Sequence, residues 1–172
     1  MFSLDHELSV LKGLCAWSVK RTHGSFLSMQ FGEPRLWVRS PIQQEPGASE
    51  KTALRREHRL VRAVGQWELW IEQGQWQLDW RGGHVTSDDS MNAIEAALPY
   101  LDGQAFVDFR RDDADRTCWF DFDLGAVLRV SPTEEAEAAQ WNLSRDGEWI
   151  ASYRNDGQVE FERLARPTTG IG

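Results

Sequence analysis

The chain has few cysteines: Cys15 and Cys118 are the only two in 172 residues. Two do not make a disulfide framework and suit a reducing compartment. No apolar run approaches the ~20 residues that span a bilayer, and the opening Met-Phe-Ser-Leu-Asp-His-Glu has no basic stretch leading into an apolar one, so no secretory signal is expected. Without such a signal, the Asn142-Leu143-Ser144 glycosylation match carries no weight. The expected setting is cytoplasmic, with no membrane partner. Basic charge is scarce in the second half. Residues 1–83 hold 11 Lys and Arg against 9 Asp and Glu, whereas residues 84–172 hold 8 against 18, a net of −10 in a chain of net −8. Phosphate backbones are bound by Lys and Arg that displace counterions, so a nucleic-acid partner is not expected either.

Catalytic and metal motifs are also missing. The histidines (His6, His23, His58, His84) never fall at metal-ligand spacing with one another or with the cysteines, and no metal or cofactor is expected. Gly82-Gly83 lacks the Lys-Ser/Thr of a phosphate loop. His23-Gly24-Ser25 sets an imidazole two residues from a hydroxyl, but it lies between two strand patterns and reads as a hairpin tip. A triad would also need an orienting carboxylate and an oxyanion hole, and the sequence names neither. No catalytic residue is assigned. Cys15 reads as a small core hydrophobe beside Trp17 and Val19; Cys118 reads as near the surface, with nothing placed to activate it.

What the chain does have is nine Trp and a recurring β pattern. Leu11-Lys12-Gly13 precedes alternating Cys15, Trp17 and Val19; ninety positions later, Leu101-Asp102-Gly103 precedes Ala105, Val107 and Phe109. Alternation places each trio on one strand face. Leu27, Met29 and Phe31 before Gly32 match Phe120, Phe122 and Leu124 before Gly125. Leu36-Trp37-Val38 leading to Ser40-Pro41 matches Leu128-Arg129-Val130 leading to Ser131-Pro132, and Gly65-Gln66-Trp67 matches Gly147-Glu148-Trp149. The order of this punctuation predicts an internal repeat over 11–80 and 101–163 within a single domain, 1–172. Six strands are expected per unit: 14–21, 26–31, 35–39, 58–63, 66–71 and 75–80, then 104–111, 118–124, 127–131, 140–144, 148–154 and 158–163. The fold class is therefore mainly β, two pseudo-two-fold-related antiparallel units forming a sandwich or a barrel. One linking helix is expected over 88–98, capped by Ser87–Ser90, burying Met91, Ile94 and Leu98 and stopped by Pro99. Residues 42–53 read as an exposed loop and 164–172 as a flexible tail.

The stretch from Trp17 to Gly32, with Gly65-Gln-Trp-Glu-Leu-Trp-Ile71, resembles a family of uncharacterised small bacterial proteins, some in toxin–immunity contexts. The resemblance implies no activity and no functional residues.

Two surfaces stand out. Asp108, Asp121 and Asp123 fall opposite the apolar trios, with Asp112, Asp113 and Asp115 in the connecting loop. They form a solvated face partly paired with Arg110, Arg111 and Arg116, a cation site, or a docking surface for a basic protein. Trp37 and Trp70 point away from the inferred core, and the linking helix, a second subunit of a homodimer or a ligand groove would cover them. The leading expectation is a non-catalytic macromolecule-binding protein of immunity or interaction type using its acidic second half. The alternatives are a small-molecule-binding β-barrel or sandwich, recognisable by an open cavity between the units, and a hydrolase-like enzyme.

Overall fold

A computed structural model describes residues 3–42 and 57–164. The exposed loop expected at 42–53, apart from Ile42, and the tail expected at 164–172, apart from Leu164, lie outside the described residues. Helix α1 (Leu4–Val10) leads to β1 (Trp17–Arg21) and β2 (Leu27–Phe31), followed by β3 (Arg35–Arg39) and β4 (Leu60–Val64). Strands β5 (Trp67–Ile71), β6 (Gln75–Trp80) and β7 (Gly83–Thr86) precede helix α2 (Met91–Ala97), which tightens into a 3₁₀ turn at Leu98–Tyr100. The second half is all strand: β8 (Phe106–Arg111), β9 (Cys118–Phe122), β10 (Val127–Ser131), β11 (Ala139–Arg145), β12 (Trp149–Arg154) and β13 (Val159–Arg163).

Six strands form one antiparallel sheet in the order β1-β2-β5-β11-β12-β13, and five form another in the order β7-β6-β10-β9-β8. Both sheets are open, and their inner faces share one core, so the architecture is a sandwich. Phe31 and Trp141 from the first sheet meet Phe106 and Phe120 from the second, with ring centroids 6.3 Å apart for Phe31–Phe106 and 5.4 Å for Phe120–Trp141. Each such side chain contributes on the order of 1.5–3 kcal/mol by leaving water. Among the described residues, rings and aliphatic side chains from both sheets form one buried cluster. Strands β3 and β4 join neither sheet. Among the described residues they pair only with each other, as a separate two-stranded arm.

The two halves meet with reciprocal hydrogen bonds. Gly13 N–H donates to Phe106 O (2.8 Å) and Gly103 N–H to Ala16 O (2.7 Å); Ala16 N–H donates to Gln104 O (2.8 Å) and Phe106 N–H to Leu14 O (2.9 Å). Each partner lies ninety positions from its counterpart, and the set surrounds the Cys15–Ala105 bridge as a local two-fold would. Gly13 and Gly103 adopt φ of 85° and 91°, a left-handed conformation that side chains resist. Strands β1–β2 and β8–β9 each form an antiparallel hairpin, but the pairings beyond them differ. Strand β2 next pairs with β5, whereas β9 pairs with β10; β5 and β6 lie in different sheets, whereas β12 and β13 are neighbours.

Several expectations need correction. There are two helices among the described residues, not one. Helix α1 escapes the periodicity argument because its seven residues bury only Leu4 and Leu8, although the Ser3 hydroxyl caps it by accepting from His6 N–H. In α2 the Ser90 hydroxyl accepts from Ala93 N–H, so Met91 is the first helical residue and points outward at 60% exposure, while Ile94, Ala97 and Leu98 are buried. Val107 is exposed, because a bulge between Phe106 and Asp108 shifts the alternation and turns Phe106 inward instead. Leu124 is exposed because β9 ends at Phe122 and Leu124 lies in the following turn. The two cysteines exchange their expected places: Cys15 is exposed and Cys118 is buried.

Candidate interaction surface

The acidic residues singled out from the sequence lie at one edge of the five-stranded sheet, and the structure gives each a partner. Asp121 accepts two hydrogen bonds from Arg110 (2.8 and 3.0 Å), the fork geometry that guanidinium groups offer carboxylates. Asp108 pairs with Lys12 at 2.7 Å. Asp123 accepts from Ala105 N–H (2.8 Å), Asp112 from Ala114 N–H (2.8 Å) and Asp115 from Thr117 N–H (2.9 Å); Asp113 lies 3.2 Å from Arg111. The Lys12 hydrogen bond holds the Asp108 carboxyl below its ordinary range, and the Thr117 amide does the same for Asp115. In turn, Asp121 raises the Arg110 guanidinium above its usual value. These six carboxylates thus fix turns and strand edges. Asp108 and Asp121 face each other across β8 and β9, but the loop aspartates bind their own loop. Among the described residues, no group of three or more His, Cys, Asp or Glu could hold a metal ion.

The same sheet face presents Trp119, which the sequence reading missed. Register places it between Arg110 of β8 and Arg129 of β10, with the Arg110 guanidinium 5.4 Å from its ring centroid. The signal was available: in Cys118-Trp119-Phe120-Asp121-Phe122 the even positions are buried, so Trp119 and Asp121 share the outer face.

Trp37 and Trp70 belong to the six-stranded side of the molecule. Trp70 is 39% exposed on the outer face of β5, in register with Ser28 and Asn142. Around it runs a polar network: Ser28 Oγ donates to Glu68 (2.6 Å), Ser152 Oγ to Asn142 (2.6 Å) and Asn142 Nδ2 to Glu72 (2.9 Å). Trp37 lies on the arm beneath the Arg62 guanidinium, 4.7 Å from its ring centroid. A cleft of about 70 Å³ separates the arm from the sheet. Its walls include Trp37 and Arg62 on one side and Gln30, Glu68 and Asp146 on the other. Trp70 does not line it, so the two tryptophans do not form one patch. Helix α2 packs beside β7 and β1 and covers neither of them.

The arm is anchored at its base. Gly65 N–H donates to the Gln30 side chain (2.9 Å), and Arg35 forms a salt bridge with Asp146. Gly65 approaches Phe31 so closely that a Cβ would meet the Phe31 carbonyl at 2.5 Å. One side of the ribbon, with Arg35, Trp37 and Arg62, turns toward the sheet. Leu36 opposite Ala63 and Val38 opposite Val61 make up the other side, and all four are exposed: Leu36 by 70%, Val38 by 52% and Val61 by 51%. A lone two-stranded ribbon has little stability of its own, and contiguous exposed apolar side chains mark an interaction surface.

The other residues singled out make local contacts. The His23 ring packs edge-on against Phe26 at 6.0 Å, and the Ser25 carbonyl accepts from the Trp76 indole (2.7 Å) in the β1–β2 turn. A groove of about 280 Å³ beside α2 is crossed by an Arg21–Glu95 ion pair (2.8 Å), with Asp102 accepting from Val19 N–H (2.9 Å). Burial pushes the Cys118 thiol up to about 12, the reverse of what a reactive cysteine needs. No family model, curated protein or solved structure matches the chain.

Proposed function

We propose that this protein is a non-catalytic binding module that recognises another macromolecule through the β3–β4 arm. The observation that carries the reading is the exposed apolar side of that arm, Leu36, Val38, Val61 and Ala63. The resemblance to small proteins of toxin–immunity contexts points the same way. The test compares affinity capture from the native host by the wild type and by a Leu36→Ser/Val38→Ser variant, after circular dichroism establishes that both fold. The reading expects capture of a defined partner to fall at least tenfold with the variant; an unchanged partner set rejects it.

A second reading, docking of a basic partner on the acidic second half, rests on a different place from the six aspartates. Glu134, Glu135 and Glu137 stand exposed in the β10–β11 connection, and none of them forms a salt bridge with a described residue. Their field would speed encounter with a basic protein in a salt-dependent way. Replacing all three with Gln would slow association at low ionic strength, while replacing Asp108 and Asp121 would mainly loosen the β8–β9 edge.

A further inference from the structure

Resting on the arm as a docking element, we propose that its occupant is a second copy of this chain: each arm lies across the β13 edge of the other copy, in a closed two-fold dimer. Charge is the first argument. Strands β3 and β4 carry Arg35, Arg39 and Arg62 and no acidic residue. Over the described residues 33–42 and 57–64 there are four Arg against two Glu, a net of +2 in a chain of net −8. An arm therefore repels another arm and is drawn to another copy's body. That weighs against the simplest symmetric contact, arm face on arm face, although its apolar chemistry would match.

The β13 edge is the part of the body whose chemistry complements the arm. Strand β13 is the last strand of the six-stranded sheet, and among the described residues it pairs only with β12. All five of its residues are exposed. Val159 and Phe161 share the inward side with buried Tyr153 and Ala151 of β12, yet remain 41% and 37% exposed, so the core reaches the surface there. Glu160 and Glu162 alternate with them. Edge strands of this kind accept added strands and ribbons. The Leu36/Val38/Val61/Ala63 side of an arm would cover Val159 and Phe161, and Glu162 adds to the negative field that draws the basic arm. Reciprocal exchange of two arms closes the assembly, so it ends at a dimer and does not run on as a fibre.

The experiment uses the full chain with Cys15→Ser, which leaves only the buried Cys118. Sedimentation at low salt should give twice the 19.7 kDa chain mass, shifting toward the single-chain mass as salt is raised. Leu36→Ser/Val38→Ser should weaken the dimer at least tenfold. Mixing Val38→Cys protein with Val159→Cys protein under mild oxidation should yield a heterodisulfide that neither variant forms with itself. A Val38→Cys self-crosslink would mean arm-on-arm packing and would overturn the proposal, as would a wild type that sediments as a single chain at every concentration tested. In the latter case, arm-dependent capture of another protein would leave the binding-module reading standing, and arm-independent capture would sink both.

Discussion

The tripeptides Leu36-Trp37-Val38 and Leu128-Arg129-Val130 both form strands, both lead to Ser-Pro, and end in opposite environments. Leu128 and Val130 are fully buried, whereas Leu36 and Val38 are 70% and 52% exposed. The difference lies in their neighbours. Strand β10 is hydrogen-bonded between β6 and β9 and faces the other sheet, while β3 has β4 beside it and solvent beyond. Strand-forming chemistry is local and is carried by the β-branched and aliphatic residues themselves. Burial is decided by the strands available to cover a face.

The sharpest way to test this comparison is to truncate its buried member. Leu128→Ala removes a fully buried side chain from the core cluster, and the expected loss is about 2–5 kcal/mol in urea denaturation. A loss below about 1 kcal/mol would mean that β10 is not the covered strand the pairing makes it, and the contrast with β3 would fail.

Nearly all strands of the two sheets were legible because alternation and Gly punctuation are local signals. The placement of the faces was less so. Unbroken alternation through β8 predicts an inward Val107, whereas the bulge at Phe106/Asp108 reverses it. Sheet membership was not legible: that β2 pairs with β5 while β9 pairs with β10 depends on contacts distant in sequence. For the site, the outward position of Trp70 was legible, but not that a separate arm carries Trp37 and turns it toward the sheet. Pairing of the aspartates with Arg110 and Arg111 was legible, but not the hold on the others by Lys12 and the backbone amides of Ala105 and Thr117, which tertiary geometry and turn shape set.

A second prediction compares the covered and open regions through the two thiols. Cys118 is fully buried and holds its proton up to about 12, while Cys15 is exposed. A thiol reagent at pH 8 should modify one cysteine quickly and the other only on unfolding, since the thiolate is the reactive form. The same shift sets a sign for stability. An unfolded thiol loses its proton near 8.5, so above that pH the folded state binds more protons than the unfolded one. Stability is therefore level with respect to this group at neutral pH and falls as pH rises from about 8.5 toward 12, with a slope of up to about 1.4 kcal/mol per pH unit. Cys118→Ala should flatten that fall in alkaline denaturation. Equal fast labelling of both cysteines would show that the core around Cys118 opens readily.

The smallest effect is expected at the exposed member of the pair, and it also separates the arm's two possible states. In a single chain Leu36 is mostly solvated, and Leu36→Ala should change stability by no more than about 0.5 kcal/mol, as exposed substitutions do. The same change in a dimer removes a covered side chain, and because association stabilises the folded state by mass action, its cost should then grow with protein concentration. Thermal denaturation of wild type and Leu36→Ala across a hundredfold range of concentration distinguishes these cases. Near-coincident midpoints at every concentration would mean that the arm is exposed in solution as it is in the single chain, and its occupant would have to be a different molecule. Midpoints that diverge as concentration rises would place a second copy on the arm. A large loss at the lowest concentration, where single chains prevail, would mean that Leu36 is already covered within its own chain, and its contrast with Leu128 would then be one of degree.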